Sequence, residues 1–191
     1  MKLKAIIIIG PPAAGKYTIG KMLSKTCNYR FLHEHQVLDI ASAFFEENPV
    51  GRTTYYFKLK IDIFSDFIKY NTTNYSIVTT FVHLFDNDYY NNFMVSFLEI
   101  FQKSDYDVYI IELKASYEER VKRNTNEDRL NAKPSKQNIE KSMKKITAIE
   151  EKARTNSIEN DTIFDTFHHT IINTELLSHD EIVNKIIDFL K

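Results

Sequence analysis

The sequence predicts a three-layer α/β fold, one parallel β-sheet covered by helices on both faces. Three observations carry that expectation. Apolar, β-branched and aromatic runs alternate along the chain with helical patterns. The strongest runs are continuous rather than alternating, as strands buried on both faces require. The first run also empties into a glycine- and proline-containing loop that opens an amphipathic segment.

Taken in order, the strand-like runs are Ala5–Ile9, Tyr29–Leu32, Ser76–Phe81, Val108–Leu113 and His169–Asn173. Ile6–Ile9 and Val108–Ile111 are the unbroken ones. Two helix starts are marked by capping boxes, Ser116 with Glu119 and Ser178 with Glu181. After Pro134, residues Ile139, Met143, Ile146, Ile149 and Ala153 recur every three or four positions and mark a helix face. Ile182, Ile186 and Phe189, with Leu190, do the same for the last helix. Both stripes read as core. Two segments interrupt the alternation: residues 36–70, helical and aromatic-rich with a break at Asn48-Pro49-Val50-Gly51, and the polar stretch 123–136. They are expected to gather at one rim of the sheet. No repeat or linker divides the chain, so residues 1–191 read as one domain.

Composition excludes several function classes. With 43% hydrophobic and 27% charged residues, the chain has ordinary globular proportions. A formal net charge of −1 lacks the basic excess of a dedicated nucleic-acid binder. Cys27 is the single cysteine, so no internal disulfide forms, and a reducing cytoplasm is the expected setting. No apolar run approaches the ~18–20 residues that span a bilayer. The N-terminal isoleucines stop at Gly10-Pro11-Pro12 and read as a buried strand rather than a signal peptide.

The stretch IIIIGPPAAGKYTIG, residues 6–20, carries the chemistry. A buried strand, a loop with glycines at 10 and 15, and a helix opening at Lys16 form the context of a phosphate-binding loop. The glycines allow backbone angles that turn amide N–H groups onto phosphate oxygens, and the helix adds its positive dipole end. Residues Gly10, Pro11, Pro12, Ala13, Ala14, Gly15, Lys16, Tyr17 and Thr18 are therefore the expected nucleotide cradle. Lys16 would reach the β- and γ-phosphates. Tyr17 is irregular, because the strict motif has Ser or Thr there to meet Mg²⁺. Thr18 follows it, in a pattern that resembles nucleoside monophosphate kinases; that resemblance implies a metal held largely through water and phosphate oxygens.

With the loop placed, the whole chain resembles the shikimate-kinase-like and nucleoside-kinase-like branch of P-loop kinases. More narrowly, it looks like small bacterial proteins known only as AAA-family ATPases or as kinases of undefined substrate. The shared features are the loop Gly10–Thr18, His33-Glu34-His35 after the second strand, and the Arg-rich, Lys-Pro-containing lid from Arg120 to Pro134. The resemblance implies a P-loop NTPase fold with sheet order 2-3-1-4-5, substrate-binding helices over 36–70 and a lid over 120–136. It also implies use of ATP and Mg²⁺. In shikimate kinases the second strand ends in Asp-x-Asp, which His33 and His35 replace here. The glycine triplet after the third strand is replaced by Thr79-Thr80-Phe81-Val82. Both departures argue against shikimate as substrate.

Several side chains are candidates for the remaining work. His33 and His35 alternate on what reads as a strand end, and so share a face. They would act as general base toward an acceptor hydroxyl, ligate a transition metal, or hold the turn. Arg120, Arg123 and Arg129 would bring positive charge to the transferring phosphate, the alternative being i,i+4 pairs on a solvated helix. Asp39, Arg52 and Tyr55, with Tyr56 and Lys60, would grip an acceptor, although aromatics at this spacing also pack. Asn173 and Thr174 resemble an adenine-side loop. The expected function is Mg²⁺-dependent phosphoryl transfer from ATP to a small hydroxyl- or phosphate-bearing molecule. A non-catalytic nucleotide-binding regulatory module and a polynucleotide-end kinase are the competing readings.

Overall fold

The computed structural model describes residues 2–125 and 139–191. Its strands are β1 (Leu3–Ile9), β2 (Arg30–Leu32), β3 (Ile77–Thr80), β4 (Tyr106–Lys114) and β5 (His168–Asn173). All neighbours pair in parallel, in the order β2-β3-β1-β4-β5 that the resemblance implies. The described helices are α1 (Lys16–Cys27), α2 (Glu34–Phe45), α3 (Pro49–Tyr70), α4 (Asp88–Gln102), α5 (Tyr117–Asn124), α6 (Ile139–Lys152) and α7 (His179–Phe189).

The isoleucine run explains the layering. Ala5, Ile7 and Ile9 face one cluster with Val37 of α2, Phe57 and Phe64 of α3, and Phe97 of α4. Ile6 and Ile8 face the other, with Ile19 and Leu23 of α1 and Ile182 and Ile186 of α7. A period of two thus sends alternate isoleucines into two cores, and each contributes about 1.5–3 kcal/mol of burial. The two cores differ in kind. Phe57 stacks on Phe93 at 4.0 Å and Phe64 meets Phe97 edge-on at 5.2 Å, locking α3 to α4 with aromatic rings. The α1/α7 side is mainly aliphatic.

Helix starts decide where the site residues fall. β2 ends at Leu32 and α2 begins at Glu34, so His33 is a helix N-cap. The strand-end reading of His33 and His35 is therefore corrected. Its physical reason is that two orphan N–H groups of the helix start find acceptors: His33 N–H donates to Gln36 Oε1 (3.1 Å) and Glu34 N–H to Thr80 Oγ1 (2.9 Å). Asn48 caps α3 by accepting from Gly51 N–H, with Pro49 in the first turn. Ser178 and Glu181 form the reciprocal box expected of them. The box at Ser116 is only half made. Ser116 Oγ accepts from Glu119 N–H, but the Glu119 carboxylate turns to Arg123 Nε (2.8 Å) and Ser116 N–H goes to Glu175.

The segment from α6 to β5 is tied down by charge. Glu112 of β4 is fully buried and accepts from Ser157 N–H (2.9 Å), Ser157 Oγ (2.6 Å), Asn156 Nδ2 (2.8 Å) and His169 Nε2 (3.1 Å). Arg154 bridges Asp86 and Asp161. The loop after β3 and the chain returning from α6 are thereby joined. Among the described residues no helix is long and apolar enough to cross a membrane.

Candidate active site

A cavity of about 520 Å³ opens where β1, β2 and β3 release their chains. Its first wall is the loop after β1. Gly10 adopts φ 132°, and a Cβ there would stand 2.3 Å from the Leu113 carbonyl oxygen, so β4 itself forbids a side chain. Ala13 and Gly15 also take positive φ, 69° and 94°. Lys16, largely buried, donates from Nζ to Gly10 O (2.6 Å) and Pro11 O (2.7 Å). Pro12, Ala13, Gly15, Lys16, Tyr17 and Thr18 line the cavity. Tyr17 extends toward the β2–α2 corner, meeting the His33 ring edge-on at 4.9 Å. Its phenol therefore belongs to the corner and leaves Thr18 beside the loop.

The opposite wall comes from four elements. His33, Glu34, His35 and Leu38 line it from α2, Arg52, Thr53 and Tyr56 from α3. The exit of β3 contributes Thr80, Val82 and Leu84, and α4 contributes Tyr90. The His33 and His35 rings lie 6.3 Å apart. Beneath this wall Lys60 is 1% exposed and donates to Thr80 O (2.8 Å), ringed by Tyr56, Phe81 and Phe97 at 5.2–5.8 Å. Burial lowers its pKa to about 8. Burial, with the Glu34 charge second, holds the Tyr56 phenol well above its usual range; the same two causes raise Tyr90 to about 12.

Comparison with solved structures bears on the fold. A candidate kinase from Chloroflexus aurantiacus superposes with TM-score 0.67 at 14% identity, covering all of both chains. The Mycobacterium tuberculosis APS kinase gives 0.61 at 9%, covering 99% of this chain and 98% of that one. The Acinetobacter baumannii shikimate kinase gives 0.57 at 18%, covering 98% and 93%. The fold is that of the P-loop small-molecule kinases. No family model and no curated protein matches the sequence.

Within this kinase fold the arginines separate. Arg120 is 2% exposed and is not among the residues lining the cavity; it pairs with Glu150 and donates from Nε to Ala115 O (3.2 Å), tying α5 to α6. Arg123 does line the cavity, but it is held by Glu119, Thr174 Oγ1 (2.8 Å) and Thr174 O (2.9 Å). Thr174 follows β5, two strands from β1, or ~10 Å at the usual spacing. Arg129 and the rest of the expected lid from 126 to 136 lie outside the described residues. Gly10, Pro11 and Ala14 of the expected cradle, and Asp39, Tyr55 and Asn173, are not among the residues lining the cavity. Tyr55 packs between Phe44 and Phe45. Among the described residues no group of three or more His, Cys, Asp or Glu side chains gathers where a metal ion could sit.

Sequence reasoning left the direction of Glu34 open and missed the lining roles of Tyr90, Lys145, Ile146 and Ile149. Glu34 faces the cavity, where its charge reaches Tyr56, Tyr90 and Lys60. Tyr90 arrives from α4, distant in sequence. Ile146 and Ile149, read as core alone, line the cavity beside Lys145, so α6 is its third wall. The helical period marks that face as apolar, but nothing in it tells a core from a cleft.

Proposed function

We propose that the chain is an ATP-dependent kinase of a small molecule, with the loop after β1 holding the triphosphate and the α2/α3 wall holding the acceptor. The observation that carries this reading is the loop itself. Positive-φ positions at 10, 13 and 15 and a buried Lys16 stand at the head of α1, opening into a cavity with a second, chemically different end.

In this reading the Lys16 ammonium leaves the Gly10 and Pro11 carbonyls for phosphate oxygens. Thr18 fits a magnesium ion carried chiefly by those oxygens and by water, as magnesium prefers. When bound, the ion offsets charge on the β- and γ-phosphates. Arg123, fixed beside Thr174, meets the nucleoside side of ATP rather than the transferring group. Lys145 makes no ion pair with a described residue and supplies a cation from α6. Arg52 has no carboxylate partner among the described residues, its one hydrogen bond being to Glu46 O at 3.4 Å, and this favours an acceptor bearing an anionic group. Rate enhancement comes from placement and fixed charge.

Calorimetry with a non-hydrolysable ATP analogue and magnesium is the direct test, run on wild type and Lys16→Ala. Uptake by wild type alone is expected. An ADP-release screen over hydroxyl compounds then separates a kinase from a nucleotide-sensing module, which would take up ATP without acceptor-dependent turnover. Absence of uptake by folded wild type would falsify the reading.

A further inference from the structure

The acceptor end of the cavity holds two groups that match each other and lack partners. Glu34 carries the one carboxylate among the described residues lining the cavity, and its oxygens accept no described hydrogen bond. Tyr56, on the facing helix α3, is 4% exposed, and its hydroxyl also has no hydrogen-bond partner among the described residues. A buried phenol left unpaired costs about 1–3 kcal/mol. Three neighbouring groups are already engaged. Thr80 Oγ1 accepts from Glu34 N–H, Thr53 Oγ1 donates to Pro49 O, and Lys60 holds Thr80 O.

A carboxylate accepts only, whereas a neutral phenol can donate. An alcohol oxygen set between them satisfies both, donating its own proton to one and accepting from the other. We propose that Glu34 and Tyr56 clamp the reacting hydroxyl of the acceptor, with Glu34, rather than His33 or His35, taking its proton. This inference rests on the kinase reading above.

The step balances without a redox partner. The acceptor O–H bond breaks and its proton passes to a Glu34 oxygen. The acceptor oxygen forms a bond to the γ-phosphorus, and the bond from that phosphorus to the β,γ-bridging oxygen breaks, releasing ADP. Glu34 then returns the proton to solvent. While negative charge builds on the acceptor oxygen, the Tyr56 O–H stabilises it. Burial and the nearby carboxylate keep that phenol protonated at working pH.

Water is the smallest hydroxyl that can enter the clamp, so the test needs no known acceptor. Slow ATP hydrolysis without added acceptor is compared for wild type, Glu34→Gln, Tyr56→Phe and His35→Asn, beside calorimetric uptake of the ATP analogue and melting temperature. Glu34→Gln should lower hydrolysis ~10²–10⁴-fold, and Tyr56→Phe about 10²-fold. Both variants should keep wild-type analogue affinity, which shows that the fold and the phosphate loop are intact. Undiminished hydrolysis in Glu34→Gln overturns the clamp, as does a loss confined to His35→Asn. Analogue uptake with no measurable hydrolysis by wild type also overturns it, since a clamp open to hydroxyls would activate water. If wild type takes up no analogue, the kinase reading fails before the clamp is reached.

Discussion

The two ends of the cavity are built by different means. The proposed phosphate end comes from nine consecutive residues, Gly10–Thr18, and is shaped by backbone: φ angles and the head of one helix. The acceptor end is assembled from side chains on α2, α3, α4 and α6 and the exit of β3, scattered between His33 and Ile149. Backbone geometry demands a few residue types at fixed spacing and tolerates little else. A wall of side chains needs only that apolar and polar groups converge, and many sequences achieve that. The difference explains how one end conforms to a common pattern while the other departs from shikimate kinases at both aspartates and at the glycine triplet.

The comparison can be broken experimentally, and the largest effect should come from its one charged backbone-loop residue. Lys16→Ala is expected to lower phosphoryl transfer about 10³-fold, the scale of removing a fixed group that meets developing charge. Melting should hardly change; a variant that keeps wild-type turnover would remove the phosphate end from the mechanism. Next comes Gly10→Ala, which places a methyl group against the Leu113 carbonyl at a φ that L-residues avoid. A loss of ~3 kcal/mol is expected, seen as a melting temperature lower by several degrees. A neutral outcome would show that the loop yields where the geometry says it cannot.

Two further measurements sharpen the acceptor side. His83, between Val82 and Leu84, is fully buried, and neither ring nitrogen has a hydrogen-bond partner among the described residues. Burial lowers its pKa to about 4, outweighing the opposing influence of the Asn91 side chain and of the nearby Asp161 and Glu112 charges. The unfolded chain therefore binds this proton between pH 6.5 and 4 while the folded chain does not, so stability is full above that window and falls as pH drops through it. His83→Phe should remove up to about 3 kcal/mol of that pH dependence, read from urea midpoints at pH 7 and pH 4.5. Lys60→Met should act in the opposite sense, gaining about 1–2 kcal/mol at pH 7 by removing a buried ammonium. Because the folded pKa is about 8 against 10.5, wild type should also gain stability as pH rises between those values, and the Met variant should lack that slope. Equal stability of the two proteins at pH 7 would show that the aromatic ring around Lys60 fully offsets its burial.

Much of the fold was legible before any coordinates. The unbroken Ile6–Ile9 run marked a strand covered on both faces, and its residues do alternate between two cores. The break read at Asn48-Pro49 does separate two helices, and Ser178 with Glu181 marked a helix start. These are local signals, carried by neighbours in sequence. Glu34 shows why the acceptor end was not legible. Whether it faces the cavity depends on β2 stopping at Leu32 so that Thr80, forty-six residues on, can accept its N–H. Arg120 shows the same limit from the other side. Its spacing suits a lid, but its burial against Glu150 follows from how α5 meets α6.

The sequence by itself determined the layered α/β architecture, the tight turn after β1 and the position of Lys16 at the head of α1. Each rests on periodicity or on backbone angles that only certain residues accept. Tertiary structure alone decided which carboxylate faces the cavity, which arginine is spent on holding helices together, and which apolar stripe lines a cleft. Those outcomes depend on contacts between segments far apart in the chain. Their energies are set by burial and by pairing partners, and neither exists until the layers close.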